Sequence, residues 1–185
     1  MTQQFRISCA AATLALGLAP AAGAQTVTYS FEWPGGGGYA MRGALSFDAA
    51  LLGEQIVTEE DIDCFVVEGT HDGAPIGRWA LGMLTETTTW TMTFDPVLEQ
   101  FVVFGPGAPM PQAWNMNGIG TDCGPDGFGF NIGNAAQDLC LGGALLVESQ
   151  VPPTRPFPAA RDDGFSFPAD ACHGTMILSA LPLPD

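Results

Sequence analysis

Residues 26–33 read TVTYSFEW and alternate strictly between polar and apolar side chains. Successive residues of a β-strand point to opposite faces of a sheet, so this period-two pattern predicts a strand with one buried face. The side chains expected in the core are Val27, Tyr29, Phe31 and Trp33. Branched and aromatic side chains suit a pleated, half-buried surface. The stretch therefore indicates a β-protein.

The same alternation recurs along the chain and sets the expected fold class. Residues 87–94 place Thr88, Trp90, Met92 and Phe94 on one face, and residues 127–133 repeat the pattern. Further candidate strands are residues 40–47, 62–68, 78–84, 98–104, 139–147 and 174–181. About nine strands separated by turns rich in Gly, Pro and Asp predict an all-β fold, a two-sheet β-sandwich or jelly roll.

Helix is expected only as one or two short turns. The sequence Thr58-Glu59-Glu60-Asp61 supplies a capping residue and early negative charge for one of them. Residues 48–52 are the candidate for the other.

The first 24 residues predict a secretory signal peptide. They contain one positive charge (Arg6), an apolar run and the small-residue triplet Ala22-Gly23-Ala24. The predicted mature protein is a single β-sandwich domain, residues 25–185, exported to the periplasm or beyond. Its least regular part is residues 151–168, where five prolines predict a long loop and not a strand. Cys9 precedes the apolar run, so no lipid anchor in the membrane is expected.

The charge of the chain limits its partners. Without residues 1–24 it keeps four arginines, no lysine and all 20 acidic residues, a net charge of −16. A phosphate-binding face needs clustered Lys and Arg, so nucleic acid is not an expected partner. The negative field instead favours cations and basic partners, and it also keeps an exported protein in solution.

Four cysteines remain in the predicted mature chain, and an even number in an exported protein indicates two disulfides. Three pairings are possible. The favoured one joins Cys123 to Cys140 as a local clasp and Cys64 to Cys172 as a tie between distant strands. Zinc is the alternative, but the chain has no C-x-x-C pair and only two histidines to help.

The densest polar cluster, residues 115–127, is a candidate calcium site. Asn117, Asp122 and Asp126 carry oxygen atoms through a glycine-rich loop, and Ca²⁺ binds six to eight oxygens in flexible geometry. The spacing is not that of an EF-hand. Asn, Asp, Gly and Pro also make ordinary turns, and this is the favoured interpretation.

Two further patterns concern sugars and catalysis. Trp114, between Gln112 and Asn115, is the tryptophan most open to a sugar-stacking interpretation, although packing under a loop is favoured. His71-Asp72 could orient a general base, but no G-x-S-x-G motif accompanies it. Paired glutamates could hydrolyse a glycoside only if the fold brings two of them together.

Several segments resemble a class of exported bacterial β-sandwich proteins of unknown function with PEP-CTERM-like (VPLPA-type) sorting tails. The resemblance lies in residues 58–62, in residues 69–94 with their Thr-Thr-Thr-Trp run, in Phe94-Asp95-Pro96 and in the ending LSALPLPD. In that class a hydrophobic helix and an arginine cluster follow such an ending, whereas this chain stops at Asp185. The resemblance implies export and a β-sandwich and carries no activity over. The departure at the ending favours a freely soluble form over a sorted or anchored one.

The expected function is that of a non-enzymatic binding or structural protein of the envelope or the extracellular matrix. Its partner would be an envelope or matrix protein or a glycan. The alternative is a carbohydrate-active protein, either a lectin-like module or a two-carboxylate glycoside hydrolase. A groove beside an exposed aromatic residue would favour the sugar, and two carboxylates facing each other in a cleft would favour the hydrolase.

Overall fold

Residues 25–53 and 56–172 are described by the structure, which is a computed structural model. They form two antiparallel sheets with only short 3-10 turns, so the predicted all-β sandwich is confirmed. The predicted signal peptide and the predicted strand 174–181 lie outside the described residues.

The strands are numbered in chain order. They are β1 (Thr26–Pro34), β2 (Tyr39–Asp48), β3 (Val57–Thr58), β4 (Ile62–His71), β5 (Ala74–Ala80), β6 (Thr89–Thr91), β7 (Thr93–Asp95), β8 (Gln100–Phe101), β9 (Gln112–Met116), β10 (Phe128–Ile132), β11 (Gln137–Leu141), β12 (Ala144–Leu145) and β13 (Phe157–Arg161). The 3-10 turns are Ala49–Gly53, Glu59–Asp61, Leu81–Met83 and Val147–Ser149.

The larger sheet has eight strands in the order β3-β7-β8-β13-β1-β2-β4-β5, and the smaller has five in the order β12-β11-β10-β9-β6. Strands β1 and β2 pair over nine residues, from Thr26 opposite Asp48 to Pro34 opposite Ala40. A slip of one residue would turn the apolar row of β1 to solvent, so burial of that row holds the register.

An aromatic core fills the space between the sheets. The four apolar side chains predicted on β1 are all buried, as expected. Across the interface the Phe31 ring lies 5.7 Å from that of Trp114, and the Trp33 ring lies 5.1 Å from that of Phe130. These tilted and edge-on contacts are the arrangements that aromatic rings prefer.

A pair of glycines makes room for one of these rings. Gly69 on β4 and Gly77 on β5 are register partners. A Cβ atom at either position would lie 2.4 or 2.6 Å from the Phe128 ring of the smaller sheet. Glycine is therefore required at both positions for the sheets to approach each other.

Both predicted disulfides are present. Cys64 is bonded to Cys172 across 108 residues, and Cys123 is bonded to Cys140 across 17 residues. The two predicted helical turns form as 3-10 turns. In the second of them Asp61 accepts hydrogen bonds from the Thr58 backbone N–H at 2.9 Å and from its hydroxyl at 3.1 Å.

Residues 87–94 were predicted as one strand, and that prediction is wrong. The chain changes sheets at Met92: β6 before it pairs with β9 in the smaller sheet, and β7 after it pairs with β3 and β8 in the larger. Both halves keep the period-two pattern, so alternation alone could not reveal the change.

The proline-rich segment 151–168 also departs from its prediction. It contains β13, which lies within the larger sheet between β8 and β1. Pairing with β1 runs over residues 159–161 and so begins after Pro158, which is opposite only the short strand β8. The donor that proline lacks is therefore not needed in the ladder with β1.

Strand β9 was missed, and residues 139–147 were predicted as one strand where two form. All five residues of β9 are buried, although Gln112 is polar and Asn115 is of a type common in turns. In residues 139–147 the chain turns between β11 and β12 at Gly142 and Gly143, whose φ angles are 57° and 80°. Positive φ at both central residues is typical of a tight hairpin turn.

Candidate functional site

The predicted calcium residues lie in the loop between β9 and β10, where two of them hold turns. Asn117 Oδ1 accepts the Thr121 N–H at 2.8 Å, and Asp122 Oδ1 accepts the Gly124 N–H at 2.7 Å. Asp126 is exposed. In the part of the chain that the structure describes, no group of three or more His, Cys, Asp or Glu side chains could hold a metal ion. The calcium site stays a prediction.

Trp114 lies in the centre of the core. It is 0% exposed, and its ring centroid is 4.8 Å from those of Phe65 and Phe130. Its indole N–H donates to Gln112 Oε1 at 3.2 Å. A sugar needs an exposed aromatic face, so the prediction of ligand binding at Trp114 is wrong.

His71 and Asp72 lie at the hairpin between β4 and β5. The His71 ring stacks on Tyr39 with centroids 4.1 Å apart, and its Nε2 lies 3.1 Å from the Gly37 carbonyl oxygen. Asp72 Oδ2 is 3.8 Å from the same nitrogen. Among the described hydrogen bonds none joins His71 to a hydroxyl or a thiol of the kind that a general base activates. His173 lies outside the described residues.

A buried carboxyl group, Asp138, faces a cleft of about 450 Å³ beside the smaller sheet. It is 4% exposed and accepts hydrogen bonds from Asn131 Nδ2 and, at 3.0 Å, from Gln150 Nε2. Burial raises the pKa of Asp138, and the two amide hydrogen bonds oppose that rise. Asp138 is the only titratable side chain among the described residues lining this cleft, so the cleft lacks the second carboxylate of a glycosidase.

More open space than in this cleft lies on the outer face of the larger sheet. Residues 162–172, which we call the strap, cross this face. At the start of the strap the Asp162 N–H donates to the Thr28 carbonyl at 2.8 Å, and Asp163 Oδ1 accepts the Thr28 N–H at 3.0 Å. That hydrogen bond and the neighbouring Arg161 lower the pKa of Asp163.

The far end of the strap is held by a disulfide and an ion pair. Cys172 is bonded to Cys64, and Arg78 donates to both oxygens of Asp170 at 2.8 and 2.6 Å. The hydrogen bonds from Arg78 lower the pKa of Asp170. Between these ends, half-buried Phe165 and Phe167 pack against a small apolar cluster that consists of Val66, Ala80 and Ala171.

A row of alternating charges crosses the same face beside the strap. The register places Glu32 of β1 opposite Arg42 of β2, Arg42 opposite Glu68 of β4, and Glu68 opposite Arg78 of β5. Arg42 donates to Glu68 Oε2 at 3.1 Å. Opposite charges on neighbouring strands favour this sheet. We call these four residues the charged row.

Two adjoining depressions, of about 870 and 830 Å³, lie along the charged row. Both are lined by Glu32, Arg42 and Glu68, so they adjoin each other at the charged row, and we call the two together the groove. Each volume is within the range of ligand sites, roughly 300–1,000 Å³. Other residues that line the groove include Ser30, Ala160, Phe165 and Phe167 at the strap end and Pro34 and Pro75 at the hairpin end.

The fold and the groove define the class of this protein as a disulfide-bonded, all-β sandwich with an open groove on the larger sheet. Comparison of the chain with protein-family models, with curated proteins and with solved structures finds no match. Among the described residues no helix has the length and apolar character needed to cross a membrane. The functional argument therefore depends on the chemistry of the groove.

Proposed function

We propose that this protein is an exported, non-enzymatic binding protein of the cell envelope or extracellular matrix, and that the groove is its ligand site. The observation that carries the proposal is the groove itself, with its two adjoining depressions of ligand size on one sheet face. Sequence reasoning missed this site because its residues come from five strands, β1, β2, β4, β5 and β13, and from the strap.

Export is supported by the cysteines and by the first 24 residues. The described residues contain two disulfides, which form and persist in oxidising compartments. Residues 1–24 have the composition of a secretory signal peptide.

Binding is favoured over catalysis by the partners of the charged groups. Arg42 donates to Glu68, and Arg78 is held by Asp170. A hydrolase would need two carboxylates facing each other across a cleft, one of them with a raised pKa. The carboxyl group with a raised pKa among the described residues is Asp138, which lies in the other cleft.

The test compares two tryptophan substitutions at exposed alanines in strands. Ala160 lines the groove, whereas Ala144 lies on β12 of the smaller sheet. Fluorescently labelled protein of residues 25–185 is incubated with the cell-wall and extracellular-matrix material of the producing cells. We expect wild type and Ala144→Trp to bind it and Ala160→Trp to lose binding, because the indole fills the groove.

Treatment of the material then separates the leading function from the alternative. Binding abolished by protease supports a protein ligand, and binding abolished by periodate, which oxidises sugars, would replace it by the lectin-like alternative. Equal binding by Ala160→Trp and Ala144→Trp would exclude the groove as the site.

A further inference from the structure

We infer that the groove binds an extended segment of a partner protein that carries both basic and apolar side chains. This inference rests on the proposed function, since it names the ligand of the same groove. Three properties of the groove support the inference: its unpaired negative charge, its apolar walls and its length.

The groove has an excess of negative charge. Glu32 and Asp162 line it, and neither forms an ion pair with another described residue. The arginines of the described chain have their own partners, which are Glu68 for Arg42, Asp170 for Arg78, Asp163 for Arg161 and the Pro34 carbonyl for Arg155. Glu32 and Asp162 are therefore free to pair with a cation.

Apolar walls lie beside these acids at the strap end. Phe165 and Phe167 are half-buried, with their ring centroids 4.9 Å apart, and both line the groove together with Pro158. An apolar side chain that inserts there gains burial, and a nearby Lys or Arg can also lie over an aromatic face. A ligand with a positive charge and an apolar group therefore fits this end better than one with either alone.

The length of the groove favours a polypeptide over a compact molecule. The groove follows β1 from Ser30 to Pro34, and a strand rises about 3.4 Å per residue, so this distance is about 14 Å. A small cation would occupy only a small part of one depression, whereas about four to six extended residues span both. A neutral glycan would leave Glu32 and Asp162 unpaired, and an anionic one would meet repulsion.

The overall charge supports the same ligand. A net charge of −16 on residues 25–185 attracts basic segments at long range, and the groove then selects among them by its apolar walls.

The experiment uses three labelled peptides of about eight residues, one alternating Lys with Leu, one Lys with Ser and one Glu with Leu. Fluorescence anisotropy with the protein of residues 25–185 is measured at about 0.15 M salt, where the Debye length is about 8 Å and long-range attraction is weak. We expect the Lys–Leu peptide to bind at least ten-fold more tightly than either of the others.

Matched variants then locate the binding. We expect Glu32→Gln and Asp162→Asn each to weaken binding by about two- to five-fold, the range of an exposed ion pair. The controls Glu60→Gln and Asp126→Asn make the same chemical changes at exposed acids outside the groove and should bind as wild type does.

The outcomes separate the two proposals. Equal binding of the Lys–Ser peptide, or equal effects of groove and control variants, would show non-specific attraction and overturn the inference. No binding of the Lys–Leu peptide, with Ala160→Trp still losing the native material, would overturn the ligand class and leave the groove as the site. Lys–Leu binding unaffected by Ala160→Trp would count against both.

Discussion

At the residue scale, two buried glutamines accept hydrogen bonds from two tryptophans of the core. Gln112 and Gln137 are each 0% exposed. Gln112 Oε1 accepts the indole N–H of Trp114 at 3.2 Å, and Gln137 Oε1 accepts that of Trp33 at 2.8 Å. Gln112 Nε2 donates to the Thr93 and Val102 carbonyls, and Gln137 Nε2 donates to that of Arg155. Burying these amides is tolerable because both ends are hydrogen-bonded.

Substituting Gln137→Leu should lower the free energy of unfolding by about 2–4 kcal/mol. The change leaves the buried Trp33 N–H and the part-buried Arg155 carbonyl without their partner, and a buried group left in this way costs about 1–3 kcal/mol. Adding Trp33→Phe removes the orphaned donor. In urea unfolding the double variant should therefore be less destabilised than the sum of the two single variants, by about 1 kcal/mol, and strict additivity would contradict the contact.

Asp138 should make stability depend on pH in the opposite sense to an acid whose pKa is lowered in the folded state, such as Asp170. Burial raises its pKa in the folded state above the unfolded value of about 3.9. The native state therefore holds the proton more tightly, so the contribution of Asp138 to stability falls as pH rises from about 4 through the folded pKa.

Urea unfolding of wild type and Asp138→Asn across this pH range measures the effect. The Asn side chain does not titrate. The free energy of unfolding of the variant, relative to that of wild type, should therefore rise with pH and then level off. Other acids contribute equally to both proteins and cancel in the difference. A difference that stays flat from about pH 4 to 7 would mean that burial does not raise this pKa.

At the scale of elements, the strap is held over the larger sheet mainly by contacts distant in sequence. The Cys64–Cys172 disulfide closes a loop of 108 residues and the Cys123–Cys140 disulfide one of 17. In the chain-entropy model such closures contribute about 4.7 and about 3 kcal/mol respectively. The two disulfides should therefore differ both in energy and in the region that they order.

Replacing Cys64 and Cys172 by Ser should expose the strap to limited proteolysis and to hydrogen exchange. The matched variant with Ser at Cys123 and Cys140 should leave the strap protected and loosen the loop between β9 and β10. Protection of the strap unchanged in the first variant would mean that the Arg78–Asp170 pair and the phenylalanine contacts hold it alone.

The loop between β9 and β10 is the element of the calcium prediction. Asn117 and Asp122 each use an oxygen in a turn hydrogen bond, so we expect no calcium-specific stabilisation. Thermal melting in millimolar Ca²⁺, in Mg²⁺ and in EDTA tests this. A Ca²⁺-specific rise of about 5–10 °C, absent in Asp126→Asn, would instead establish the site, because ion held 100-fold above its Kd adds about 2.7 kcal/mol.

At the scale of the whole molecule, repulsion among the acids opposes the compact state. Residues 25–185 carry 20 acidic side chains against four arginines. Salt screens this repulsion, with a Debye length of about 30 Å at 0.01 M and about 3 Å at 1 M. The Tm should therefore rise by several degrees between about 0.02 and 0.5 M NaCl.

Choline chloride is the matched salt for this measurement. An equal rise in both salts indicates screening, whereas a rise only in NaCl would indicate a bound sodium ion. A fall in Tm would mean that the exposed ion pairs of Arg42, Arg78 and Arg161 stabilise the fold by more than the repulsion destabilises it. Such pairs usually contribute little to stability.

The sequence alone could not predict the groove, although it predicted several of the strands that form it. Strands β1, β2 and β4 follow from alternation, and Glu32 and Glu68 fall on the polar face of that pattern. The order of the strands, which makes these residues neighbours of Arg42, depends on pairings that no local signal contains. The candidate site chosen from composition alone was residues 115–127. There the residue types that suggest calcium ligands form turns instead.

By itself, the sequence determined which segments alternate, which face of β1 is buried and that two disulfides are to be expected, because these depend on residue spacing, cysteine count and compartment. The choice among the three possible pairings came from the structure. Only the tertiary structure decided that β13 lies within the larger sheet, that the chain changes sheets at Met92 and that Trp114 is buried. These features depend on contacts between distant residues, such as Thr28 with Asp163 across 135 positions and Arg78 with Asp170 across 92. Burial and hydrogen bonding between distant segments override local propensity, and they become visible only once the chain has folded.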